Sequence, residues 1–334
     1  MNIHKAREIL NRFSKLNMLV VGDIIADEYL EGVSTRLSRE APIPIIHQTR
    51  KYLVPGGAAN PAVNARALGA SVSLAGVMGQ DESGAMLKNI LQHYEIDISS
   101  AHMDAKRPTS SKLRVLASNN QGVIQQVARI DTIDTTPIDD SLAEHMLADI
   151  LPKIAGYNCV ILSDYDNGFM GLPIIDGVLE AARKQNCILT ADAHGGFARF
   201  QYASAITPNE PEAEIAAEIR IFDENSLNIA GAKLLETTHA ESALITRGSS
   251  GMALFQQSGK ITHIPARKIT AADTTGAGDT VAAVFTLALA AGADPLEAAE
   301  LANFAGAIVV QRPGCSTTTQ EELLHFIEIS ESEQ

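Results

Sequence analysis

The hydrophobic positions of the chain alternate between short apolar runs and longer stretches with helical spacing. A typical run, LNMLVVG at residues 16–22, is short and continuous and ends at glycine, which indicates a buried β-strand. The predicted strands are residues 16–22, 71–79, 158–164, 187–193, 203–209 and 242–248. The predicted helices are residues 58–69, 81–93 and 171–186. Strands that alternate with helices in this way predict an α/β fold, with a mostly parallel central sheet and helices on both faces.

Two segments interrupt this alternation. Residues 27–51 show no helical period, and residues 111–131 alternate around NNQG at 119–122, which predicts a β-hairpin. Because no helix separates these strands, we expect a small antiparallel sheet beside the core. Such a sheet is either a lid or a peripheral decoration, and its junctions beside candidate site residues favour the lid. The predicted division is a core of residues 1–26, 54–108 and 132–334 and a β-lid of residues 27–53 and 109–131.

The first 23 residues carry charges through their first fifteen positions and then become apolar. This pattern predicts an amphipathic helix that leads into a strand, and it does not fit a signal peptide. A second apolar run, residues 281–293, spans 13 residues and is too short to cross a bilayer as a helix. We therefore expect no membrane segment and a cytoplasmic location.

Composition narrows the classes of function. Hydrophobic residues make up 46% and charged residues 20% of the 334 residues, and the formal net charge is −14. This charge, which no basic run offsets, argues against a general binder of nucleic acid or of anionic membranes. Cys159, Cys187 and Cys315 are far apart and form no CxxC pair. A disulfide framework or a zinc cluster is therefore not expected, and a reducing compartment fits.

Polar residues follow several of the predicted strands directly. In a mostly parallel sheet, ligands bind beyond the carboxyl ends of the strands, where such residues meet. The residues at these ends are Gly22, Asp23, Asp164, Asp192, Asn209 and Gly248. We therefore expect the functional site at this edge of the sheet.

The stretch DTTGAGDT at residues 273–280 precedes the second apolar run and predicts an anion site. It lacks the lysine of a P-loop and the third glycine of a dinucleotide fingerprint. What remains is a GxGD turn at the start of a helix, where the backbone N–H groups of Gly276, Ala277 and Gly278 have no partner inside the helix. These amides can hold a phosphoryl group as its charge develops. Asp279 is then either a general base or a helix cap.

This stretch and three further motifs resemble the PfkB, or ribokinase-like, family of carbohydrate kinases. DTTGAGD resembles the C-terminal signature of the family, and GGAANPAVNARALGA at residues 56–70 resembles its N-terminal glycine motif. NEPE at residues 209–212 fits the family's NxxE, and TRGSSGM at residues 246–252 resembles its nucleotide loop. The motifs occur in family order over nearly the whole chain, so the joint match is much more specific than any single motif.

The resemblance implies a ribokinase-like fold and transfer of the γ-phosphoryl group of ATP to a sugar hydroxyl. It makes Asp279 the general base and the amides of residues 276–278 the anion hole. The residues implied on the nucleotide side are Asn209, Glu212, Thr246, Gly248, Gly251 and Asn303, with Glu212 holding Mg²⁺ through water. Many relatives also bind a monovalent cation such as K⁺. The matching positions here are Asp273, Thr275 and the backbone oxygens of Arg312 and Gly314.

The sugar side implied by the family combines carboxylate, amide and glycine positions: Asp23, Asp27, Gly56, Gly57 and Asn60. RLSREAPIPIIH at residues 36–47 and TSSKLRVLASNNQ at residues 109–121 resemble the kinase part of the bacterial heptose kinases. Those enzymes phosphorylate D-glycero-D-manno-heptose 7-phosphate at C1, on the way to ADP-heptose for lipopolysaccharide. Bifunctional members carry a nucleotidyltransferase domain after the kinase. A chain that stops at Gln334 is expected to be a kinase alone.

Two positions depart from the heptose kinase pattern, and both are usually lysine. Asn167 stands in the segment that is DYxKG in that group, and His194 stands two residues after Asp192. A sugar phosphate needs cationic donors, so their loss weakens the match. The remaining substrate-side candidates are Lys112, Arg114, Arg129, His194 and the strand-end residue Asp164.

Alternatives remain open at this point. The acceptor is heptose 7-phosphate or another sugar, such as a ribose, a fructose or a nucleoside. A non-catalytic regulator that binds sugar or nucleotide is less favoured, since the residues of the proposed chemistry are present. No Rossmann fingerprint, GxSxG or HExxH motif supports a dehydrogenase or a hydrolase. The apolar IPIIH segment and the free strand edges of the lid predict a homodimer that pairs through the lids.

Overall fold

The computed structural model describes residues 1–118 and 124–332. The strands of its central sheet are β1 (Asn17–Gly22), β4 (Ser71–Gly79), β5 (Ala101–Asp104), β8 (Cys159–Asp164), β9 (Ile188–Ala193), β10 (Ala205–Ile206), β11 (Ser242–Thr246), β12 (Met252–Gln256) and β13 (Ile261–Ile264). They lie in the order β13-β12-β11-β10-β9-β8-β1-β4-β5. Every neighbouring pair from β11 to β5 is parallel, whereas β12 and β13 add an antiparallel ribbon at one edge. The predicted mostly parallel sheet is confirmed.

Helices cover both faces of this sheet, as predicted. The helices on one face are α1 (Ile3–Phe13), α2 (Ala59–Ala67), α3 (Glu82–His93), α8 (Ala277–Ala290), α9 (Pro295–Val309) and α10 (Gln320–Ser332). The helices on the other face are α4 (Asp140–Ile150), α5 (Leu172–Lys184), α6 (Glu210–Ala217) and α7 (Glu224–Thr238). Each face forms its own hydrophobic core against the sheet. The strands that follow one another along the chain are therefore held parallel by the helices that connect them.

Helix α8 runs through the interior of the molecule. Its residues 279–288 are all buried, and the helix packs against α2 and α9. A helix that is apolar on every side can be stable only when it is buried on every side, as it is here. Among the described residues, no helix combines the length and the apolar character that spanning a membrane requires.

A second, four-stranded sheet lies beside the core. Its strands are β2 (Ile24–Leu37), β3 (Pro44–Gly57), β6 (Ser110–Ser118) and β7 (Ile124–Thr132), in the order β3-β2-β6-β7. The β2–β3 and β6–β7 pairs are antiparallel, as expected for a small antiparallel sheet, and a parallel pairing of β2 with β6 joins them. The NNQG turn predicted at residues 119–122 lies outside the described residues. Because β2 begins one residue after β1 ends, this sheet, called the lid sheet below, is attached directly beside the carboxyl edge of the core.

Candidate active site

A cleft of about 280 Å³ lies at the carboxyl ends of the parallel strands, between the core and the lid sheet. Residues from the lid sheet, the strand ends and the start of α8 line it together. They are Asp27, Gly57, Lys112, Arg114, Tyr165, Asp192, His194, Thr207, Asn209, Glu212, Thr246, Thr274, Thr275, Gly276, Gly278, Asp279 and Cys315. The cleft is therefore where residues from nearly all of the recognised motifs meet.

Asp279 lies in the first turn of α8 and is 5% exposed. The Asn60 amide nitrogen donates to its Oδ2 at 2.8 Å, and the Tyr165 hydroxyl donates to its Oδ1 at 2.8 Å. Burial raises the pKa of Asp279 well above the usual carboxyl range, although these two hydrogen bonds oppose the rise. A carboxylate in such a setting holds a proton near neutral pH more readily than an exposed one, which suits a group that must accept a proton and release it.

Asn60 is held in place by a chain of side-chain hydrogen bonds that runs into α8. Its Oδ1 accepts from Asn64 Nδ2 at 2.9 Å, and Asn64 Oδ1 accepts from Thr280 Oγ1 at 3.1 Å. This chain fixes which end of the Asn60 amide is the donor, so its nitrogen faces Asp279. Asn60 therefore lies at the predicted base, and its own predicted contact with sugar remains a prediction.

The glycines of the GxGD turn have two different requirements. Gly276 adopts a left-handed φ of +74°, and a Cβ there would lie 2.4 Å from Asn60 Nδ2. At Gly278, by contrast, an added Cβ would meet no atom within 4 Å. Gly276 is thus needed by the protein itself, whereas Gly278 leaves open space over the amides of the first turn. That space is where the predicted anion hole needs close approach by a ligand.

The wall of the cleft formed by the start of α6 and the end of β9 carries two acidic residues, Asp192 and Glu212. Asn209 and Glu212 form a capping box at the start of α6, with Glu212 Oε2 accepting from the Asn209 backbone N–H at 2.8 Å. Glu212 Oε1 lies 3.0 Å from His194 Nδ1, and this hydrogen bond raises the pKa of His194. Thr207 Oγ1 donates to Asp192 Oδ1 at 2.9 Å. Burial, together with Asp279 and Glu212, raises the pKa of Asp192.

The residues present on this wall fit a divalent cation. Carboxylate and amide oxygens are the ligands that Mg²⁺ prefers, and it usually keeps several waters while binding one or two carboxylates and substrate phosphates. The side chain of Glu212 lines the cleft, and the carboxyl group of Asp192 lines it as well. Within residues 1–118 and 124–332, no group of three or more His, Cys, Asp or Glu side chains is arranged to hold a metal. The wall therefore suits an ion that is shared with a bound phosphate.

The lid side of the cleft supplies its cations. Arg114 forms an ion pair with Asp27, whose other carboxylate oxygen accepts a hydrogen bond from the Cys315 thiol. Gly56 makes room for this carboxylate, since a Cβ there would lie 2.2 Å from Asp27 Oδ2. Lys112 has its ammonium nitrogen 5.0 Å from the centre of the Tyr165 ring and forms no salt bridge within the described part of the chain. Of the two lid cations that line the cleft, Lys112 and Arg114, Lys112 is the one without a carboxylate partner among the described residues.

Five predicted substrate residues lie outside the lining of the cleft: Gly56 and Asn60, described above, and Asp23, Asp164 and Arg129. The Asp23 carboxylate accepts backbone N–H groups from the loop after β8, at Tyr165 (2.8 Å), Asn167 (3.2 Å) and Phe169 (3.4 Å). Burial raises the pKa of Asp23 to about 6. Asp164 is already paired with Arg199, and the exposed Arg129 with Asp131 of its own strand.

Of the predicted nucleotide residues, three line the cleft and three do not. Those in the lining are Asn209, Glu212 and Thr246, and those outside it are Gly248, Gly251 and Asn303. Thr246 lines the cleft beside Asn209, to which it is joined by a β-bridge. Gly251 adopts a φ of +89°, and a Cβ there would lie 2.1 Å from the carbonyl oxygen of Ile264. Gly248 also has a positive φ, of +52°, and has open space at the Cβ position. Asn303 is buried outside the cleft lining and donates to the Pro265 carbonyl at 2.9 Å, which holds the segment after β13.

Three of the four residues of the predicted monovalent cation site, Asp273, Thr275 and Gly314, are joined by hydrogen bonds. Asp273 accepts hydrogen bonds from Thr275 N and Oγ1 at 2.9 and 2.7 Å and from Gly314 N at 2.8 Å. Burial opposes ionisation of Asp273, but these bonds outweigh it and hold its pKa below the usual range. The Arg312 guanidinium is directed to Glu322 and the Thr317 carbonyl. The carboxylate and the chain at Gly314 thus form one hydrogen-bonded unit before α8.

Neither Tyr165, although it stands in the DYxKG-like segment, nor the Asn64–Thr280 link was singled out by the sequence analysis. Tyr165 follows a strand-end aspartate, as many loop residues do, and only the folded chain brings its hydroxyl to Asp279. The signal that could have found it is its place one residue beyond Asp164, at the edge where ligands bind.

Comparisons with known proteins agree with these observations. The family described as pfkB family carbohydrate kinase matches residues 15–322. A protein of Geobacter metallireducens named bifunctional protein HldE is 39% identical over 310 residues, covering 92% of this chain and 62% of the relative. The protein of the same name from Helicobacter hepaticus is 35% identical over 311 residues, covering 93% of this chain and 63% of the relative. The chain thus spans less than two thirds of the length of these relatives.

Solved structures show the same fold. The structure of Arabidopsis thaliana ribokinase complexed with ribose and ATP has a TM-score of 0.75 and 22% identity and covers 94% of this chain and 99% of that one. Phosphofructokinase-2 from Escherichia coli in complex with potassium has a TM-score of 0.75 and 14% identity, with the same coverage of 94% and 99%. The ribokinase-like fold expected from the motifs is confirmed. Since the family match spans most of the chain, this protein belongs to the pfkB family of carbohydrate kinases.

Proposed function

We propose that this protein transfers the γ-phosphoryl group of ATP to the C1 hydroxyl of D-glycero-D-manno-heptose 7-phosphate, giving the 1,7-bisphosphate and ADP. The observation that carries the chemistry is the buried carboxylate of Asp279 beside the GxGD turn, where a Cβ on Gly278 would meet no atom within 4 Å. The observation that favours heptose is the similarity to proteins named HldE over 92% of the chain, together with the lid motifs at residues 36–47 and 109–121.

Residues 276–279 would serve both the proton transfer and the phosphoryl transfer. The sugar hydroxyl oxygen forms a bond to the γ-phosphorus while the bond from that phosphorus to the bridging oxygen of ADP breaks. Asp279 accepts the proton of the hydroxyl, and the amides of Gly276, Ala277 and Gly278 donate to the oxygens of the transferring group. Both groups belong to the rigid start of α8, so their relative position does not have to be assembled during the reaction.

The nucleotide would occupy the part of the cleft beside α6 and β11. Asn209 and Thr246 lie there, with Gly248 and Gly251 in the following loop and Asn303 holding the segment beyond it. Glu212 would hold Mg²⁺ through a water molecule. When bound, the ion would neutralise charge on the phosphates. We also propose that Asp273, Thr275 and the backbone oxygens of Arg312 and Gly314 hold K⁺ beside the anion hole, which predicts faster turnover in potassium than in sodium salts.

Asp279→Asn tests the proposed base. The amide keeps the size of the side chain but cannot take the proton, so turnover should fall by roughly 10²- to 10⁴-fold. Asp294→Asn is a matched control, because Asp294 caps α9 far from the cleft and asparagine caps a helix equally well. Thermal unfolding of both variants checks that the fold is intact. Undiminished turnover by the Asp279 variant would refute the assignment.

The acceptor is tested by measuring ADP release with a panel of sugars. Heptose 7-phosphate should give the highest kcat/KM, with Lys112 contacting the phosphate, and Lys112→Ala should then raise KM for the sugar phosphate. A neutral sugar is the second candidate, because Arg129 pairs with Asp131 and the buried Asn167 takes the place of a lysine. Turnover of ribose or fructose with an inert sugar phosphate would favour that candidate and contradict the first.

A further inference from the structure

Tyr165 is a half-buried residue of the cleft to which the recognised motifs assign no role. Its hydroxyl donates to Asp279 Oδ1 at 2.8 Å, on the opposite side of the carboxylate from Asn60, which donates to Oδ2 at 2.8 Å. Both oxygens of the proposed base therefore have one fixed donor each. Since an ionised carboxylate oxygen accepts at about two positions, each oxygen still has room for a further donor such as a sugar hydroxyl.

The ring of Tyr165 is held from several directions. Its centre lies 4.2 Å from that of the His194 ring and 5.0 Å from Lys112 Nζ. Its backbone N–H donates to Asp23 Oδ2 at 2.8 Å, which fixes the point where the side chain leaves the loop. A phenol held at both ends can set the direction of its hydrogen bond and not merely satisfy it.

A structural role alone is the simpler explanation, because a hydroxyl that is partly withdrawn from water usually has a hydrogen-bond partner in the protein. The partner here is, however, the carboxylate that has to be ionised before it can take a proton. The charged and titratable groups around that carboxylate have opposing effects on its pKa. They are Asp27 of the lid sheet, Asp192 and His194 at the end of β9, Cys315 before α10 and Tyr165 itself. A neutral donor favours the ionised form without adding a charge that would attract phosphate away from the anion hole.

We propose that Tyr165 is a positioning residue of the kinase reaction, which orients the carboxylate of Asp279 toward the acceptor hydroxyl and favours its proton-accepting form. This inference rests on the proposed function of Asp279 as the base. Asp23 supports this role, because its carboxylate accepts the backbone N–H of Tyr165 and so anchors the loop.

Tyr165→Phe removes the hydroxyl and keeps the ring. We expect the acid limb of the profile of kcat/KM against pH to move upward by about one pH unit, because a lost donor to a charged group is worth roughly that much. Above the limb, kcat should fall by about ten-fold from lost orientation, with KM for ATP little changed. The measurement is steady-state turnover across about pH 5 to 9.

Tyr52→Phe is the matched control. Tyr52 also donates to a carboxylate, Glu31 Oε1 at 2.9 Å, but within the lid sheet and away from Asp279. Its profile should coincide with that of the unmodified protein. A Tyr165→Phe profile whose acid limb does not move, even with lower stability or lower kcat, would overturn the positioning role and leave a structural one.

The two levels of the proposal fail separately. If Asp279→Asn is inactive and the Tyr165→Phe limb stays in place, the base stands and the role of Tyr165 is refuted. If Asp279→Asn remains fully active, the base itself is refuted, and the inference about Tyr165 falls with it.

Discussion

At the scale of single residues, Asp23 shows how one side chain can satisfy a motif and serve the fold. The resemblance placed it among the groups that hold sugar hydroxyls, but its carboxylate accepts three backbone N–H groups of the loop after β8. Burial raises the pKa of Asp23 to about 6, with Asp164 adding to the effect. The protein therefore keeps a costly buried acid where the loop carrying Tyr165 needs an acceptor.

Replacing Asp23 separates these two roles. Asp23→Ala leaves three inward N–H groups without their acceptor, so the free energy of unfolding should fall by about 2 kcal/mol or more. Asp97→Ala is the comparison, since Asp97 is an exposed acceptor of one backbone N–H and should cost less. Denaturant unfolding measures both variants. An unchanged stability of the Asp23 variant with a raised KM for sugar would show that Asp23 acts on the substrate.

At the scale of elements, the start of α8 joins a buried helix to a turn that has to remain open. The helix is fixed by burial from residue 279 onward, and the turn before it has a glycine at its left-handed position, Gly276. The two glycines of this turn differ in what surrounds them. Gly276 is therefore required for the fold of the turn, whereas Gly278 leaves space for a ligand to approach it.

Gly276→Ala and Gly278→Ala should therefore behave differently. The first forces a side chain into a left-handed φ and against Asn60, so it should lower the melting temperature by several degrees. The second meets no protein atom, so stability should be kept while the methyl group obstructs the approach of phosphate and raises KM for ATP. Calorimetry and steady-state kinetics distinguish the two. Equal losses of stability would contradict this account of the turn.

At the scale of the whole molecule, the lid sheet is the part whose exposure calls for a partner. Every described residue of β7 is exposed, and Leu37, Ile43, Ile124, Val127 and Ile130 present apolar surface. Exposed apolar strands with free edges are typical of surfaces that pair with another chain. This surface supports the proposal that two copies associate through their lid sheets.

Sedimentation should accordingly show a dimer at micromolar concentration. Ile130→Glu places a charge on the proposed interface and should shift the protein to monomer. Ile229→Glu is the control, because Ile229 is similarly exposed, at 51% against 56% for Ile130, but lies on α7. A monomeric unmodified protein, or equal effects of the two variants, would contradict pairing through the lids.

Much of this architecture could be predicted because it depends on local patterns. The run at residues 16–22 and the helix at residues 58–69 are found within one or two residues of their predicted bounds, as β1 and α2. The two interrupting segments form antiparallel strand pairs beside the core, as expected. The parallel pairing of β2 with β6 could not be predicted, since it joins residues about 85 positions apart and no local pattern specifies it.

The sequence by itself determined the reaction class, because the turn at residues 273–280 and its companion motifs are local in the chain. The spacing of glycine and aspartate there already fixes an amide-lined turn and an acid at the start of a helix. Only the tertiary structure decided what surrounds that acid. Tyr165 and Asn60 reach Asp279 from segments 114 and 219 residues away. Tyr165 follows the parallel strand β8 and Asn60 lies at the start of α2, and only the fold brings both to the start of α8.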